Sequence, residues 1–323
     1  MQENSPRLIN GNFKGKDILS LDQFDSVSLG RLFDATAQTK KLLEERKTPK
    51  LLQGSIVSLY FDEPSTRTRA SFGSATKRLG GTTIEMGNPQ SPNNVTGESF
   101  YKVVSTCKAC SDIIVIRHPQ TGAAEKATDI SKTIPVINAG DGGAGEHPTQ
   151  ALLDLYTIYE KLGKLDHLVG VAAGDILYGR TVKSLIKGLA LFPGNTLYLL
   201  SPKELKLSKE DFDNFTKRGI KLIQIESEKG MPKNAHFWYW TRTQKERFTN
   251  LATYERVKNR FILNRDLINR YSGENTIFMH PLPRVGEIAV EVDDDPRAVY
   301  LTTQIRNGLY VRMALVALVL GGL

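Results

Sequence analysis

Ser65-Thr66-Arg67-Thr68-Arg69 places three hydroxyls and two guanidiniums on five consecutive positions. The preceding Ile56–Phe61 has the near-continuous apolar character of a strand buried on both faces of a parallel sheet. Asp62-Glu63-Pro64 stops that strand. Phe72, Ala75, Thr76 and Leu79 then recur at i, i+3, i+4 and i+7, so a helix must begin near Ser65. The first turn of a helix has unpaired N–H groups and the positive end of the dipole. Hydroxyl donors and a planar bidentate guanidinium make such a turn a receptor for a phosphate dianion. The competing reading is an ordinary Ser/Thr cap beside surface arginines.

Similar chemistry recurs where other predicted strands end. Arg117-His118 follows Ile113–Ile116, and His147-Pro148-Thr149-Gln150 opens a helix after the strand Ile134–Asn138 and a glycine loop. Arg180 lies in the turn after Leu168–Ala173. Arg242 and Gln244 follow Phe237–Trp240, and His280-Pro281-Leu282-Pro283-Arg284 follows Ile277–Met279. Ligands of open parallel sheets bind outside the carboxyl ends of the strands. Any one of these groups reads alone as a solvated charge or a capping histidine; together they read as a site.

The inventory is rich in cations and poor in nucleophiles. G-x-S-x-G, H-E-x-x-H and the Walker A pattern are all missing, and the glycine segment Gly140–Gly145 is too loose a match to count as a dinucleotide fingerprint, which disfavours covalent hydrolysis, zinc peptidase chemistry and nucleotide binding. Asp293-Asp294-Asp295 cannot turn three adjacent carboxylates on one ion and is expected to be a solvated turn. Cys107 and Cys110 lack further ligands at zinc spacing and are expected to be buried thiols in a reducing cytoplasm. No metal and no cofactor is implied. What remains is a site that binds anions and stabilises developing negative charge without covalent catalysis. Transfer from an acyl phosphate to an amine suits it: donors hold the phosphate, others polarise the carbonyl, and the leaving phosphate takes the amine proton.

The elements that position these groups alternate between apolar runs and amphipathic stretches. Further strands are expected at Thr196–Leu200 and Ile220–Ile225, and helices at Ser26–Glu45, His147–Leu162, Thr181–Leu191, Ser208–Lys217 and Asn250–Arg260. This predicts an α/β chain of two domains, each a mostly parallel sheet flanked by helices and joined by bridging helices. A length of 323 residues, 40% hydrophobic and 24% charged, fits two soluble domains. The expected boundaries are 1–146 for the phosphate-binding domain, with a C-terminal helix at about 307–323 packing back on it, and 147–306 for the second. The net charge of +8 comes without a basic block, so small anions fit better than nucleic acid. Met1–Phe13 is too polar for a secretory signal, Met313–Leu323 is too short to span a bilayer, and no membrane partner is expected. The start at Met1 points to a free chain.

These blocks, with Arg117-His118-Pro119, Gly179-Arg180-Thr181-Val182 and Thr241–Phe248, occur in the order and spacing of the aspartate carbamoyltransferase family, which the chain resembles over essentially its whole length. His-Pro-Leu-Pro stands where ornithine enzymes typically carry His-Cys-Leu-Pro. The resemblance implies that Ser65, Thr66, Arg67 and Thr68 hold the phosphate of carbamoyl phosphate. It assigns the carbonyl oxygen to Thr68, Arg117 and His147, and the carbamoyl amide to Gln150 and the Leu282 and Pro283 backbone. Arg67, Thr68, Arg117 and His147 would be the catalytic set. Arg180, Arg242 and Gln244 would bind the two carboxylates of L-aspartate. A cytoplasmic homotrimer with active sites shared between neighbours is implied in the same way, as is a place in de novo pyrimidine biosynthesis.

Of the positions that depart from the family, one bears most directly on turnover. Before Gly97-Glu98, where the family carries a mobile-loop lysine, this chain has Thr96, and a family serine upstream corresponds loosely to Ser91. Two alternatives follow: a catalytically weakened homologue that binds anions or serves as a structural partner, and a carbamoyltransferase for another amine. Restoration of activity by Thr96→Lys distinguishes the first. An acceptor screen distinguishes the second, since a cationic acceptor would need acidic partners rather than Arg180 and Arg242.

Overall fold

The computed structural model describes residues 8–47, 49–87, 98–143 and 145–323. Thr96, Gly97 and Ser91 lie outside the described residues. Two compact units divide the chain: one holds the residues up to Leu153 together with Asn307–Leu323, the other Asp154–Arg306. The division falls inside the helix Pro148–Leu162.

In the first unit, strands β1 (Ile56–Phe61), β2 (Thr82–Met86), β3 (Ile113–His118) and β4 (Val136–Asp141) form a parallel sheet in the order β2-β1-β3-β4. Helices α1 (Ser26–Glu44), α2 (Thr66–Arg78), α3 (Phe100–Cys110) and α4 (Ala123–Ser131) belong to this unit. Ile113–Ile116 is wholly buried, as an apolar parallel strand must be when helices cover both faces. Phe72, Ala75, Thr76 and Leu79 are all buried, so the periodicity read along α2 is its core face. The C-terminal apolar run is buried from Tyr310 to Val319 in a terminal helix. It is tied to α1 by Thr39 Oγ1 donating to the Tyr310 carbonyl at 3.2 Å.

In the second unit, β5 (Val169–Ala173), β6 (Thr196–Leu200), β7 (Lys221–Ile225), β8 (Phe237–Trp240) and β9 (Ile277–Met279) form a parallel sheet ordered β7-β6-β5-β8-β9. Trp238 and Trp240 are fully buried in its core, and the Trp238 ring lies 5.3 Å from that of Phe278. The principal helix after β5, here α5, is Arg180–Leu189. Among the described residues no helix is long and apolar enough to cross a membrane.

Several expectations differ from the structure. β2 was not read from sequence, because an edge strand of exposed and half-buried residues carries no apolar run. β4 begins later and runs on through Gly140 and Asp141, with a register shift against β3 between Ile116 and His118. Cys107 is buried, and burial pushes its thiol up to about 11, but Cys110 is exposed on the outer face of the last turn of α3. Asp293 and Asp295 are not merely solvated: they pair with Arg284 and Arg297.

At Gly170 in β5 a side chain has no room, since a Cβ there would lie 2.2 Å from the buried Phe237 ring on neighbouring β8. Gly170→Ala is expected to destabilise the chain by about 1–3 kcal/mol through overpacking. Chemical denaturation would read this as a lower midpoint at unchanged slope.

Candidate active site

The turn between β1 and α2 is anchored on Arg117. The Asp62 and Glu63 N–H groups both donate to the Arg117 carbonyl, at 2.9 and 3.4 Å. Ser65 is the N-cap of α2 in extended conformation, and its side chain makes no capping bond. The ordinary cap reading, in which the hydroxyl accepts from the first turn, therefore fails at this helix. Thr66 and Arg67 are exposed, Ser65 is half-buried and Thr68 is buried. Arg69 is engaged elsewhere, its Nε donating to Glu85 on β2 at 2.7 Å. Of the motif's two guanidiniums, Arg67 is the one not paired with Glu85.

Arg117 is almost fully buried at the end of β3. Its Nη2 donates to Glu63 at 2.7 Å and its Nη1 to the Ala139 carbonyl at 3.3 Å, while Nε has no hydrogen-bond partner among the described residues. Burial lowers its pKa, opposed by the charge of Glu63. Burial also lowers that of Arg67, and the like charge of Arg117 adds to the effect, so the two guanidiniums sense one another. Gly140 brings Arg117 together with His147. Its φ is +112°, and a Cβ there would lie 2.6 Å from Arg117 Nη1 and 3.2 Å from His147 Cδ2. Buried His147 precedes Pro148–Leu162, and its carbonyl accepts the Gln150 N–H at 3.0 Å. The structure thus joins Arg117 and His147 around one glycine, beside the turn that carries Ser65–Thr68. Guanidinium, imidazole and hydroxyl donors in so dry a setting can bind an anion and stabilise charge forming next to it.

In the second unit, two loops share acceptors. Arg180 begins α5, and its N–H donates to the Tyr178 carbonyl at 2.9 Å; Gln244 Nε2 donates to the same oxygen at 2.9 Å. Asp175, wholly buried, accepts the Tyr178 N–H at 3.0 Å and the Gln244 N–H at 3.2 Å. Arg242 is half-buried and held in a fork by Glu246, at 2.5 and 3.2 Å. That bond, above all, raises the pKa of Arg242. Leu282 is half-buried and Pro283 exposed in the loop after β9, apart from the Arg180–Gln244 group in chain order but on the same unit.

Sequence reasoning named the donors and missed the carboxylates that hold them: Glu63, Asp175, Glu246 and, below, Glu287. The spacing of Arg242 and Glu246 at i and i+4 was the one available signal. The others pair across the fold, where a single sequence carries no mark of them.

Comparison with known proteins covers nearly all of the chain. Residues 16–160 match the family model described as "Aspartate/ornithine carbamoyltransferase, carbamoyl-P binding domain", and 168–319 match "Aspartate/ornithine carbamoyltransferase, Asp/Orn binding domain". The aspartate carbamoyltransferase catalytic subunit of Methanocaldococcus jannaschii is 41% identical over 300 residues, 93% of this chain and 96% of that one. Its solved structure is similar with a TM-score of 0.85. Aspartate transcarbamoylase from Trypanosoma cruzi, solved with carbamoyl phosphate and aspartate, is 34% identical with a TM-score of 0.88, over 98% of this chain and 100% of that one.

Burial pushes the Asp175 carboxyl up to about 6 against the opposing bonds from Tyr178 and Gln244. A raised carboxyl holds its proton more tightly in the folded chain, so it favours folding at low pH. That advantage is lost as the pH rises from about 4 through about 6. The full difference is on the order of 3 kcal/mol. Non-titrating Asp175→Asn is expected to be less stable than wild type near pH 4 and to recover roughly that amount relative to it by pH 7. Urea unfolding at both values measures this; an offset that does not change with pH would contradict it.

Proposed function

This chain belongs to the aspartate/ornithine carbamoyltransferase family, and on that premise we propose that it carries the carbamoyl group from carbamoyl phosphate to the amine of L-aspartate. The products are N-carbamoyl-L-aspartate and phosphate, a step of pyrimidine biosynthesis. The observation that carries the reading is likeness, along nearly the full length of both chains, to relatives named aspartate carbamoyltransferase catalytic subunit.

The geometry of each unit supports the roles we assign. Ser65, Thr66, Arg67 and Thr68 hold the phosphate at the start of α2. Arg117 and His147, joined around Gly140, and Thr68 donate to the carbonyl oxygen. Gln150 and the Leu282 and Pro283 backbone address the carbamoyl amide. Arg180, Arg242 and Gln244 take the aspartate carboxylates, and Glu246 sets the plane of the Arg242 fork. The amine attacks the carbonyl carbon, the oxygen gains charge against Arg117 and His147, and the carbon–oxygen bond to phosphate breaks. The departing phosphate takes the amine proton. Donors fixed before reaction stabilise that charge without reorganising, which is where most of the acceleration arises. We further propose that the chain acts in the cytoplasm as a homotrimer with shared sites, which the family resemblance supports.

One residue favours a second reading. Thr96 stands where the resemblance calls for a cation meeting phosphate and aspartate, and its loss weakens transition-state stabilisation. A silent, anion-binding homologue would follow if the loss were complete.

Steady-state assay of carbamoyl-aspartate formation tests both. The unmodified protein is expected to turn over, Arg67→Ala to lower kcat roughly 100- to 1000-fold, and Thr96→Lys to raise it. No product from the unmodified protein, with activity appearing in Thr96→Lys, would establish the silent homologue instead. Preference for ornithine over aspartate would reject the acceptor.

A further inference from the structure

Leu282 has a backbone φ of +56°, in the left-handed region that a branched side chain seldom occupies. Such a conformation persists only where the surroundings hold it. Its N–H donates to His280 Nδ1 at 2.7 Å. A ring nitrogen that accepts from an N–H bears no proton, so the neutral imidazole carries its hydrogen on Nε2. Nε2 lies 2.7 Å from Glu287 Oε1, and Glu287 Oε2 accepts the Val285 N–H at 3.0 Å. The pair therefore spans the loop, with Leu282 on one side and Val285 on the other. The chain of bonds continues behind it. The His280 N–H donates to Gln304 Oε1 at 3.0 Å, Gln304 Nε2 to Asp154 Oδ1 at 2.7 Å, and the Tyr239 hydroxyl to Asp154 Oδ2 at 2.8 Å. All five side chains are buried. Burial works to raise the Glu287 pKa, but the hydrogen bonds it accepts, that from His280 first, act against it and the net shift is downward.

We propose that His280 is a positioning residue for the acyl donor: its Nδ1 fixes the Leu282 peptide, and Glu287 fixes the tautomer that allows it to do so. The inference deepens the carbamoyl-transfer reading and rests on it. A histidine filling the core would serve stability alone, with both ring nitrogens equally important. A positioning histidine serves binding through Nδ1 and stability through Nε2. The two functions can be pulled apart with isosteric amides.

In His280→Asn, the side-chain oxygen takes the place of Nδ1 and can accept the Leu282 N–H, while Glu287 loses its donor. In His280→Gln, the amide reaches the place of Nε2 and keeps Glu287 paired, while the Leu282 N–H loses its acceptor. Calorimetric titration with carbamoyl phosphate, together with thermal melting, is expected to give crossed results. His280→Asn should melt lower yet bind within about threefold of wild type, and His280→Gln should melt closer to wild type yet bind about tenfold more weakly. The KM for aspartate should change little in His280→Gln. Binding that simply follows melting temperature in both variants, or that changes in neither, overturns the inference. Wild type that binds carbamoyl phosphate but forms no carbamoyl-aspartate overturns the transfer reading alone; wild type that does not bind it overturns both. If neither variant folds, Glu287→Gln carries the test. Its amide can donate to Nε2 and favour the wrong tautomer, so weakened binding supports the inference and unchanged binding overturns it.

Discussion

A guanidinium buried at the carboxyl end of β3 is the constraint around which the first unit is arranged. Arg117 cannot leave water uncompensated, and removing one member of a buried ion pair typically costs about 3–5 kcal/mol. Glu63 and the Ala139 carbonyl supply the compensation. Glu63 belongs to the turn before Ser65, so the same ion pair fixes where α2 begins. Ala139 belongs to β4, which leads to Gly140 and then His147. The lack of a side chain at Gly140 is what lets guanidinium and imidazole share one corner. A single desolvated charge therefore sets the Ser65–Thr68 turn, the histidine and the strand between them.

The second unit uses the inverse device. There the buried groups are acceptors, and they collect backbone donors from loops at the strand ends. Asp175 gathers the Tyr178 and Gln244 N–H groups, and the Tyr178 carbonyl gathers Arg180 and Gln244. The His280–Glu287 pair does the same for Leu282 and Val285. Loops that must present cations or peptide groups to a ligand gain rigidity this way without hiding the groups themselves. The raised Asp175 carboxyl is the cost of that arrangement, because a charge held dry by two backbone N–H groups is incompletely compensated.

Much of this was legible in the sequence. Parallel strands covered on both faces read as apolar runs, so Ile56–Phe61, Thr196–Leu200, Phe237–Trp240 and Ile277–Met279 stand at the bounds read from the chain. β2 was illegible because an exposed edge carries no such run. The donors were legible because hydroxyl and guanidinium groups cluster in short motifs at helix starts. Their carboxylate holders were not, since Glu63 meets Arg117 and Glu287 meets His280 only after the sheet has formed. Arg69 shows the converse: its position in the motif suggested phosphate, and only the register of β1 against β2 brings it to Glu85.

The dependence on Arg117 is open to direct measurement. Carbamoyl phosphate would be titrated calorimetrically, without aspartate, into the unmodified protein and into Arg117→Met, with circular dichroism verifying that both are folded. Tight binding by the unmodified protein and a loss of about a hundredfold in the folded variant are predicted, the scale of deleting a buried charged hydrogen-bond donor. Equal affinity in the two would contradict the claim that this buried guanidinium organises the donor site.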